Sequence, residues 1–359
     1  MALTSSIFIL VSNFFKYLLI VIPIVGGCLI SISLRELLLY MFLFAMAIIT
    51  WHQSKDSTMF QVICLAFGLR KIDFRRVVLV FFSGLGLGTA FILIGSLVGE
   101  FTSVVTMSGE ESAIKTSLGF MLPNTAGLIL FNLLLMLVYL IMERSRNQKG
   151  LFLCTLPIAY LVYKTGARTS FFLVILLYII WGCLSNQKIS KAVLRHMSEI
   201  VIGITAFVIV FSYVTSANYS DSGWMSQLNN LTTNRLAFGS QAVSNYGLTF
   251  FGQTIPYNAI SLEEIWWNRS SYFWIDNAYI KLLVNEGVFW IGVLLYGIYI
   301  MTKKAKSAGN VALVIPVILM VLLGYSESSF LYSWFDFVLF AAGANFSMKK
   351  NIELSVLSK

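Results

Sequence analysis

One long polar segment, from Asn218 to Asp276, brings together side chains that could do acid–base or anion-binding chemistry. A carboxylate can accept a proton from a hydroxyl group, and a planar guanidinium can bind phosphate oxygens through two parallel hydrogen bonds. Both kinds of group recur in this segment among Trp and Tyr residues. The acidic and basic candidates are Asp221, Arg235, Glu263, Glu264, Arg269 and Asp276.

The rest of the chain is a succession of apolar stretches that must position this segment. Hydrophobic residues make up 58% of the chain and charged residues 11%, whereas a soluble domain carries about 25% charged residues. This composition excludes an ordinary soluble enzyme and predicts an all-α, polytopic integral membrane protein. Hydropathy predicts about ten transmembrane helices. They lie at 10–30, 36–51, 77–98, 123–142, 151–164, 170–184, 200–217, 277–302, 311–325 and 327–346.

The distribution of Lys and Arg predicts the orientation, because short cytoplasmic loops carry an excess of positive charge. One set of alternate loops holds seventeen of the 25 basic residues, and Lys55, Arg70 and Lys71 fall in the same loop of that set. We therefore expect both termini to be cytoplasmic and the polar segment to face outward. The net charge of +9 then follows from topology and gives no support for nucleic-acid binding.

A short helical hairpin at 151–184 is predicted to place a cation within the membrane. Its arms, 151–164 and 170–184, are joined by a short connection that contains Arg168. An arm of about 14 residues reaches only about 21 Å, so we expect the tip to lie below the outer membrane surface. An arginine there either faces a wet cavity or an anion, or extends to the outer headgroups. Otherwise the chain, 1–359, is expected to be a single membrane domain.

The apolar stretch from Thr58 to Leu69 does not fit the set of spans. A helix of that length reaches about 18 Å, which is less than the thickness of the hydrocarbon core. We expect it to form an amphipathic or partly re-entrant helix at the inner face.

Polar residues recur at helical spacing just after the polar segment. Asn277, Lys281 and Asn285 are four residues apart, so they share one stripe of a helix that we expect to line a cavity. Asp336, in the last predicted helix, could pair with Lys281 or line the cavity itself. Asp276 fits either an N-cap of the striped helix or a base, and one residue could do both.

The cysteines predict neither a disulfide framework nor a metal site. All of them lie in apolar segments, where they are expected to be small packing residues. No cluster of His and carboxylates in the outer loops has metal-ligand spacing, so no metal is expected. The cysteines are Cys28, Cys64, Cys154 and Cys183.

Four runs of residues follow one another along the chain: KTSLGFMLPNTAGL from Lys115, the hairpin tip TGARTS, then NRLAFGSQAVSNYGLTFFGQ and IDNAYIKLLVNEG. Their order, together with the single large outer loop, resembles that of the Wzy-type polysaccharide polymerases, most closely the capsular and exopolysaccharide branch. The resemblance covers roughly residues 50–300. One departure is Leu122, where many relatives have a His before the Pro–Asn pair. A role assigned to that His cannot apply here.

The resemblance implies an oligosaccharide repeat-unit polymerase at the outer leaflet of the bacterial cytoplasmic membrane. Such enzymes transfer a growing glycan from undecaprenyl diphosphate to the non-reducing sugar of an incoming lipid-linked unit. The fold would be that of C-type membrane glycosyltransferases, wholly helical, and the reaction would need no cofactor. Expected partners are the lipid-linked donor and acceptor, the lipid bilayer, and the flippase and chain-length regulator of the same pathway.

On this expectation Asp276 is the candidate base, because it stands where the outer loop meets the polar-striped helix. Arg168 and Arg235 are the candidate groups that stabilise the departing diphosphate. His52 and His196 are excluded, because the predicted topology places them on the cytoplasmic side. The substrate-binding candidates are Arg269, Lys281, Asn277, Tyr279, Asn124, Lys115, Glu263 and Trp274.

Alternative roles stay open for several of these residues. Glu263 and Glu264 are an adjacent pair that fits a solvated loop face, although they and Glu327 also remain candidate bases. Trp274 and the neighbouring aromatic residues could stack on sugar rings or anchor the chain at the membrane interface.

Two other functional classes fit part of the pattern. An O-antigen ligase shares the general architecture but relies on an outer-loop His, which this chain lacks. A lipid-linked oligosaccharide flippase would need cations spread through a central cavity and usually repeated halves, and the sequence shows no repeat. Both classes are kept as alternatives to the polymerase.

Overall fold

The structure is a computed structural model that describes residues 17–18, 20–103, 105–108, 113–144, 149–257, 273–333 and 335–346. It is predominantly helical. The helices are α1 (Ile20–Leu29), α2 (Leu34–Ser54), α3 (Thr58–Gly68), α4 (Phe74–Leu97), α5 (Pro123–Arg144), α6 (Lys149–Phe152), α7 (Leu156–Thr165), α8 (Arg168–Ser185), α9 (Gln187–Arg195), α10 (Met197–Ala217), α11 (Gly223–Leu231), α12 (Arg235–Tyr246), α13 (Ala278–Lys281), α14 (Phe289–Ser307) and α15 (Val314–Gly324).

Five helices in the described part of the chain are long and apolar enough to cross a membrane: α2, α4, α5, α8 and α10. This finding supports the predicted membrane protein, but not the ten predicted spans. The eighth, 277–302, is interrupted between α13 and α14 by a π-helical turn, Leu282–Glu286, and by Gly287. In the tenth, 327–346, the described residues form short 3-10 turns in place of an α-helix.

The described residues form an all-α fold, as predicted, apart from one short hairpin. Two short strands, β1 (Val105–Ser108) and β2 (Ala113–Thr116), pair antiparallel as a hairpin between α4 and α5. Lys115, at the start of the first run quoted above, belongs to β2 and pairs with Thr106.

Residue contacts divide the chain into two compact units. The first contains 1–72, 205–298 and 324–345, and the second contains 73–204, 299–323 and 346–359. The interior of the second unit is built around α5, most of which is buried and which packs against α4, α7 and α8. The single-domain expectation for the whole chain stays a prediction.

In the first unit, α3 runs antiparallel along α2. Near the start of α2, the Tyr40 hydroxyl donates a hydrogen bond to the Ala66 carbonyl at the end of α3 (3.2 Å). Near the end of α2, the rings of Trp51 and Phe60 lie 5.4 Å apart. The chain therefore returns along α2 through α3. The expected place of α3 at the inner face, as an amphipathic or partly re-entrant helix, stays a prediction.

Basic residues lie at both ends of α2. After α3, Arg70 and Lys71 hydrogen-bond to the loop that precedes α2, with Lys71 Nζ 3.1 Å from Ser31 Oγ. Lys55 follows the other end of α2. The orientation of the chain in the membrane stays a prediction. Both chain termini lie outside the described residues.

Candidate functional site

The main feature of the first unit is a cluster of three charged side chains: Arg235, Asp276 and Glu327. Arg235 Nη2 lies 2.5 Å from Glu327 Oε1, and Arg235 Nε lies 3.4 Å from Asp276 Oδ2. The side chains of Arg235, Glu327 and Asp276 are 10%, 14% and 30% exposed, respectively. Glu327 thus holds the guanidinium closely, and Asp276 is the more accessible carboxylate. We call these three residues the arginine–carboxylate cluster.

The turn between α11 and α12 positions Arg235, which begins α12. Thr233 and Asn234 both have positive φ angles, 59° and 65°. The buried Asn229 side chain donates a hydrogen bond to Asn234 Oδ1 (3.0 Å) and accepts one from the Ala237 amide (3.1 Å). Asn229 therefore connects α11 to the first turn of α12 and fixes the position of the Arg235 backbone.

The electrostatics of the arginine–carboxylate cluster distinguish its two acids. Burial raises the pKa of Glu327 to about 7, even though Arg235 lowers it, and Asp276 raises it further. Burial also raises the pKa of Asp276, and Arg235 offsets part of that rise. One guanidinium charge thus faces two carboxyl groups. This arrangement disfavours the predicted role of Arg235 as a free cation for diphosphate.

The N-cap of α13 is Asn277. Its Oδ1 accepts hydrogen bonds from the amides of Tyr279 (2.9 Å) and Ile280 (3.1 Å). The helix begins one residue later than the sequence suggested, so the extended backbone of a cap falls on Asn277. The alternative of Asp276 as the cap is therefore wrong. The Asp276 carboxylate is instead available to Arg235.

A second buried cluster surrounds Lys281. Lys281 Nζ lies 3.0 Å from Asp56 Oδ2 and 3.3 Å from the Tyr332 hydroxyl. Burial by itself would raise the pKa of Asp56, but Lys281 and local hydrogen bonds outweigh it and lower that pKa. The possible pair between Lys281 and Asp336 is not formed. Asp336 Oδ1 instead accepts a hydrogen bond from the Val338 amide (2.7 Å).

Glu286 is the third ionisable residue of this second cluster. We call Lys281, Asp56 and Glu286 the lysine–carboxylate cluster. Its side chain is fully buried, and its Oε1 accepts a hydrogen bond from Asn285 Nδ2 (2.9 Å). Its Oε2 has no hydrogen-bond partner among the described residues. Burial penalises the charged form of a carboxyl group. The setting of Glu286 therefore favours its neutral form.

The predicted polar stripe is buried in the first unit. Asn277, Lys281 and Asn285 are 5%, 4% and 1% exposed. Each is engaged with protein groups, Asn277 as a cap, Lys281 with Asp56 and Asn285 with Glu286. The stripe is thus packed against protein groups, and the cavity that it was expected to line stays a prediction.

Two of the quoted runs meet at Gly252 and Gly287. Both glycines have positive φ angles, 89° and 107°, and a Cβ on either would collide with backbone of the other run. The Gln253 amide donates to the Asn285 carbonyl (3.0 Å), and Gln253 Nε2 donates to the Val284 carbonyl (3.1 Å). The middle of the polar segment is thereby fixed to the π-helical turn that contains Glu286.

The two aromatic substrate-binding candidates differ in exposure. Trp274 is partly exposed, and its ring lies 4.9 Å from that of Tyr257 in a tilted pair. Tyr279 is fully buried, with its ring 5.7 Å from Phe330. Trp274 can therefore contact a ligand, whereas Tyr279 supports the packing beneath the site.

Three of the predicted residues, Arg168, Lys115 and Asn124, belong to the second unit. The exposed Arg168 begins α8, just after the turn at Gly166, and Lys115 Cγ lies 2.7 Å from the position of a Cβ on Gly166. Burial and the charge of Arg168 lower the pKa of Lys115. Within the described ranges, neither cation has a carboxylate within salt-bridge distance. Asn124 is exposed in the first turn of α5.

Some of the predicted site residues lie outside the part of the chain that the structure describes. Arg269, Glu263 and Glu264 lie outside the described residues. In the part of the chain that the structure describes, no group of His, Cys, Asp and Glu could hold a metal ion. Cys64 is buried as expected of a packing residue. The exposed cysteines are Cys28, Cys154 and Cys183.

Sequence reasoning missed Asp56 and Glu286 and ranked Glu327 below Asp276. Glu286 carried a usable signal, because it is an acid that directly follows a polar stripe within an apolar run. Asp56 carried none, since no local spacing connects it with Lys281.

Comparison of the chain with protein-family models, with curated proteins and with solved structures gave no match. The site is therefore interpreted from its own geometry.

Proposed function

We propose that this protein polymerises lipid-linked oligosaccharide repeat units at the outer leaflet of the bacterial cytoplasmic membrane. It transfers the growing glycan from undecaprenyl diphosphate to the non-reducing end of a new lipid-linked unit. The arginine–carboxylate cluster is the observation that carries this proposal. It offers an accessible carboxylate, held by an arginine, in a largely buried setting where a proton acceptor is effective.

In the proposed reaction, Asp276 accepts the proton of the acceptor hydroxyl. The hydroxyl oxygen forms a bond to the anomeric carbon of the donor glycan, and the bond from that carbon to the diphosphate oxygen breaks. Arg235 orients Asp276, and Glu327 anchors Arg235. When Glu327 is ionised, its negative charge makes Asp276 a stronger base.

Lys115 and Arg168 are the proposed contacts for a diphosphate group. They are two neighbouring cations without a carboxylate partner among the described residues, and each diphosphate is a polyanion that such cations stabilise. Donor and acceptor each carry their own diphosphate. The proposal therefore does not require these cations to share a pocket with Asp276.

The test is to incubate purified protein with a lipid-linked repeat unit, without nucleotide sugar, and to resolve the products on a gel. We expect a ladder of polymer lengths. Asp276→Asn should reduce its rate by at least about a hundredfold, whereas Asp221→Asn should not. Asp221 is a matched control, because it is an exposed acid of the same polar segment that bonds only to local hydroxyl groups.

The cations are tested in the same assay. Removing one stabilising donor commonly costs about a hundredfold or more in rate, so Arg168→Ala and Lys115→Ala should each slow polymer formation. Lys164→Ala is the control, since Lys164 is an exposed cation at the end of α7 that lies over the Tyr160 ring. Equal rates for all three variants would contradict the diphosphate role but not the polymerase.

A flippase is the second candidate, and the lysine–carboxylate cluster is the observation that favours it. Buried ionisable groups in membrane proteins often mark ion or substrate pathways. Movement of the lipid-linked unit across vesicles without any ladder would establish the transporter. Transfer of the glycan once, to a different acceptor and without a ladder, would establish a ligase-like transferase.

A further inference from the structure

The short helix α9 is held between two candidate membrane spans, α8 and α10. α8 ends at Ser185 and α10 begins at Met197, and both helices are long and apolar enough to cross a membrane. Only Asn186 and His196 separate α9 from them. A helix tethered this closely at both ends lies at the membrane surface whenever α8 and α10 span the bilayer.

The charges of α9 are gathered on one side. Lys188, Lys191 and Arg195 are three and four residues apart, so they project from the same face of the helix. All three are exposed, and none forms a salt bridge with a described residue. Ile189 and Val193 lie four residues apart on the opposite face, and Ile189 is 41% exposed. No residue of α9 is buried.

We propose that α9 is a binding site for the headgroups of anionic phospholipids. An amphipathic basic helix lies in the interface with its apolar side towards the acyl chains, while its long cationic side chains extend to the headgroup level. Three unpaired cations on one face match the negative charge of such headgroups. A lipid is favoured over an acidic protein segment, because the tethers keep α9 in contact with the bilayer. This site is independent of the proposed polymerase activity.

Amide hydrogen exchange of the intact protein tests the proposal. The protein is reconstituted in vesicles of phosphatidylcholine alone and in vesicles that also contain phosphatidylglycerol. Each cation near a charged membrane surface strengthens binding to that surface by a factor of about five. With three cations, the amides of α9 should therefore exchange about a hundredfold more slowly in the anionic vesicles. The Lys188→Gln, Lys191→Gln, Arg195→Gln triple variant should lose this difference.

Two matched variants make the result specific. A variant with Lys303, Lys304 and Lys306 changed to Gln loses the same charge from α14, where these positions are spread around the helix, and α9 should keep its protection. A variant with Lys188→Arg, Lys191→Arg and Arg195→Lys keeps all charges and should also keep it. Equal exchange of α9 in both vesicle types would overturn the proposal. So would protection that appears only when an acidic peptide is added.

Discussion

Arg235 Nη2 lies 2.5 Å from Glu327 Oε1, although the two residues are 92 positions apart in the chain. The same guanidinium reaches Asp276 at 3.4 Å. A single cation thus joins the start of α12 to the end of the polar segment and to the turn after α15. The predictions below begin with this contact.

Polymer formation should increase with pH through about 7. The pKa of Glu327 is about 7, compared with an ordinary value of 4.5, so its negative charge develops over this range and increases the basicity of Asp276. Glu327→Gln keeps the neutral form at every pH. Its rate should stay near the low-pH level of the unmodified protein, without the rise around neutrality. A pH–rate profile from the ladder assay checks this, and an unchanged rise in the variant would exclude Glu327 as its source.

Removing the guanidinium should destabilise the fold. Arg235→Gln leaves two largely buried carboxylates without their cation, which we expect to cost about 3 kcal/mol of the free energy of unfolding at neutral pH. A carboxyl whose pKa is raised on folding stabilises most at low pH and loses that contribution as pH rises through the folded pKa. The cost should therefore shrink below pH 7, where Glu327 is protonated.

A double variant completes this experiment. Arg235→Gln with Glu327→Gln removes one buried charge along with its partner, so it should recover part of the lost stability. Unfolding measured in detergent micelles gives the coupling energy of the pair. A coupling energy near zero would mean that the short contact does not contribute to stability.

Asp56 and Glu286 should differ in their response to amide substitution. Glu286 is fully buried, which favours its neutral form, so Glu286→Gln should change the stability by about 0.5 kcal/mol or less. Asp56→Asn leaves buried Lys281 without its anion and should cost about 3 kcal/mol. Thermal unfolding of the two variants compares them directly. Similar losses in both would show that Glu286 is charged in the folded protein.

The backbone contact at Gly287 should not tolerate a side chain. With φ at 107° and the Phe250 carbonyl in the path of a Cβ, Gly287→Ala should cost about 3 kcal/mol or more, combining backbone strain with a collision. Gly292→Ala is the control. Gly292 lies in α14 with open space around it, so an Ala there should be neutral or stabilise by about 0.5–1 kcal/mol. Comparable losses at both positions would point to a general intolerance of substitution.

Cysteine labelling should place the polar segment outside and α9 inside the cell. In a variant without native cysteines, an impermeant thiol reagent should label Ser222→Cys in intact cells and should label Ala192→Cys only after the membrane is opened. Both positions are exposed, so a difference reports the side of the membrane and not burial. The reverse pattern would invert the predicted topology.

The sequence predicted those features that depend on neighbouring residues. Five apolar helices were found because length and hydropathy are local properties. The common side of Asn277, Lys281 and Asn285 was predicted because helical periodicity acts over a few positions. The predicted helix at 327–346 was wrong because hydropathy alone does not register that the Asp336 side chain binds a backbone amide.

The partners of the charged residues were decided only by the tertiary structure. Hydropathy and spacing identified Arg235, Asp276 and Lys281 as unusual, yet Glu327 and Asp56 reach them from remote segments of the chain. A buried charge is stable only beside an opposite charge or a hydrogen-bond partner. The sequence therefore determined that partners must exist, and the packing of α2, α12 and the segment after α15 determined which residues they are.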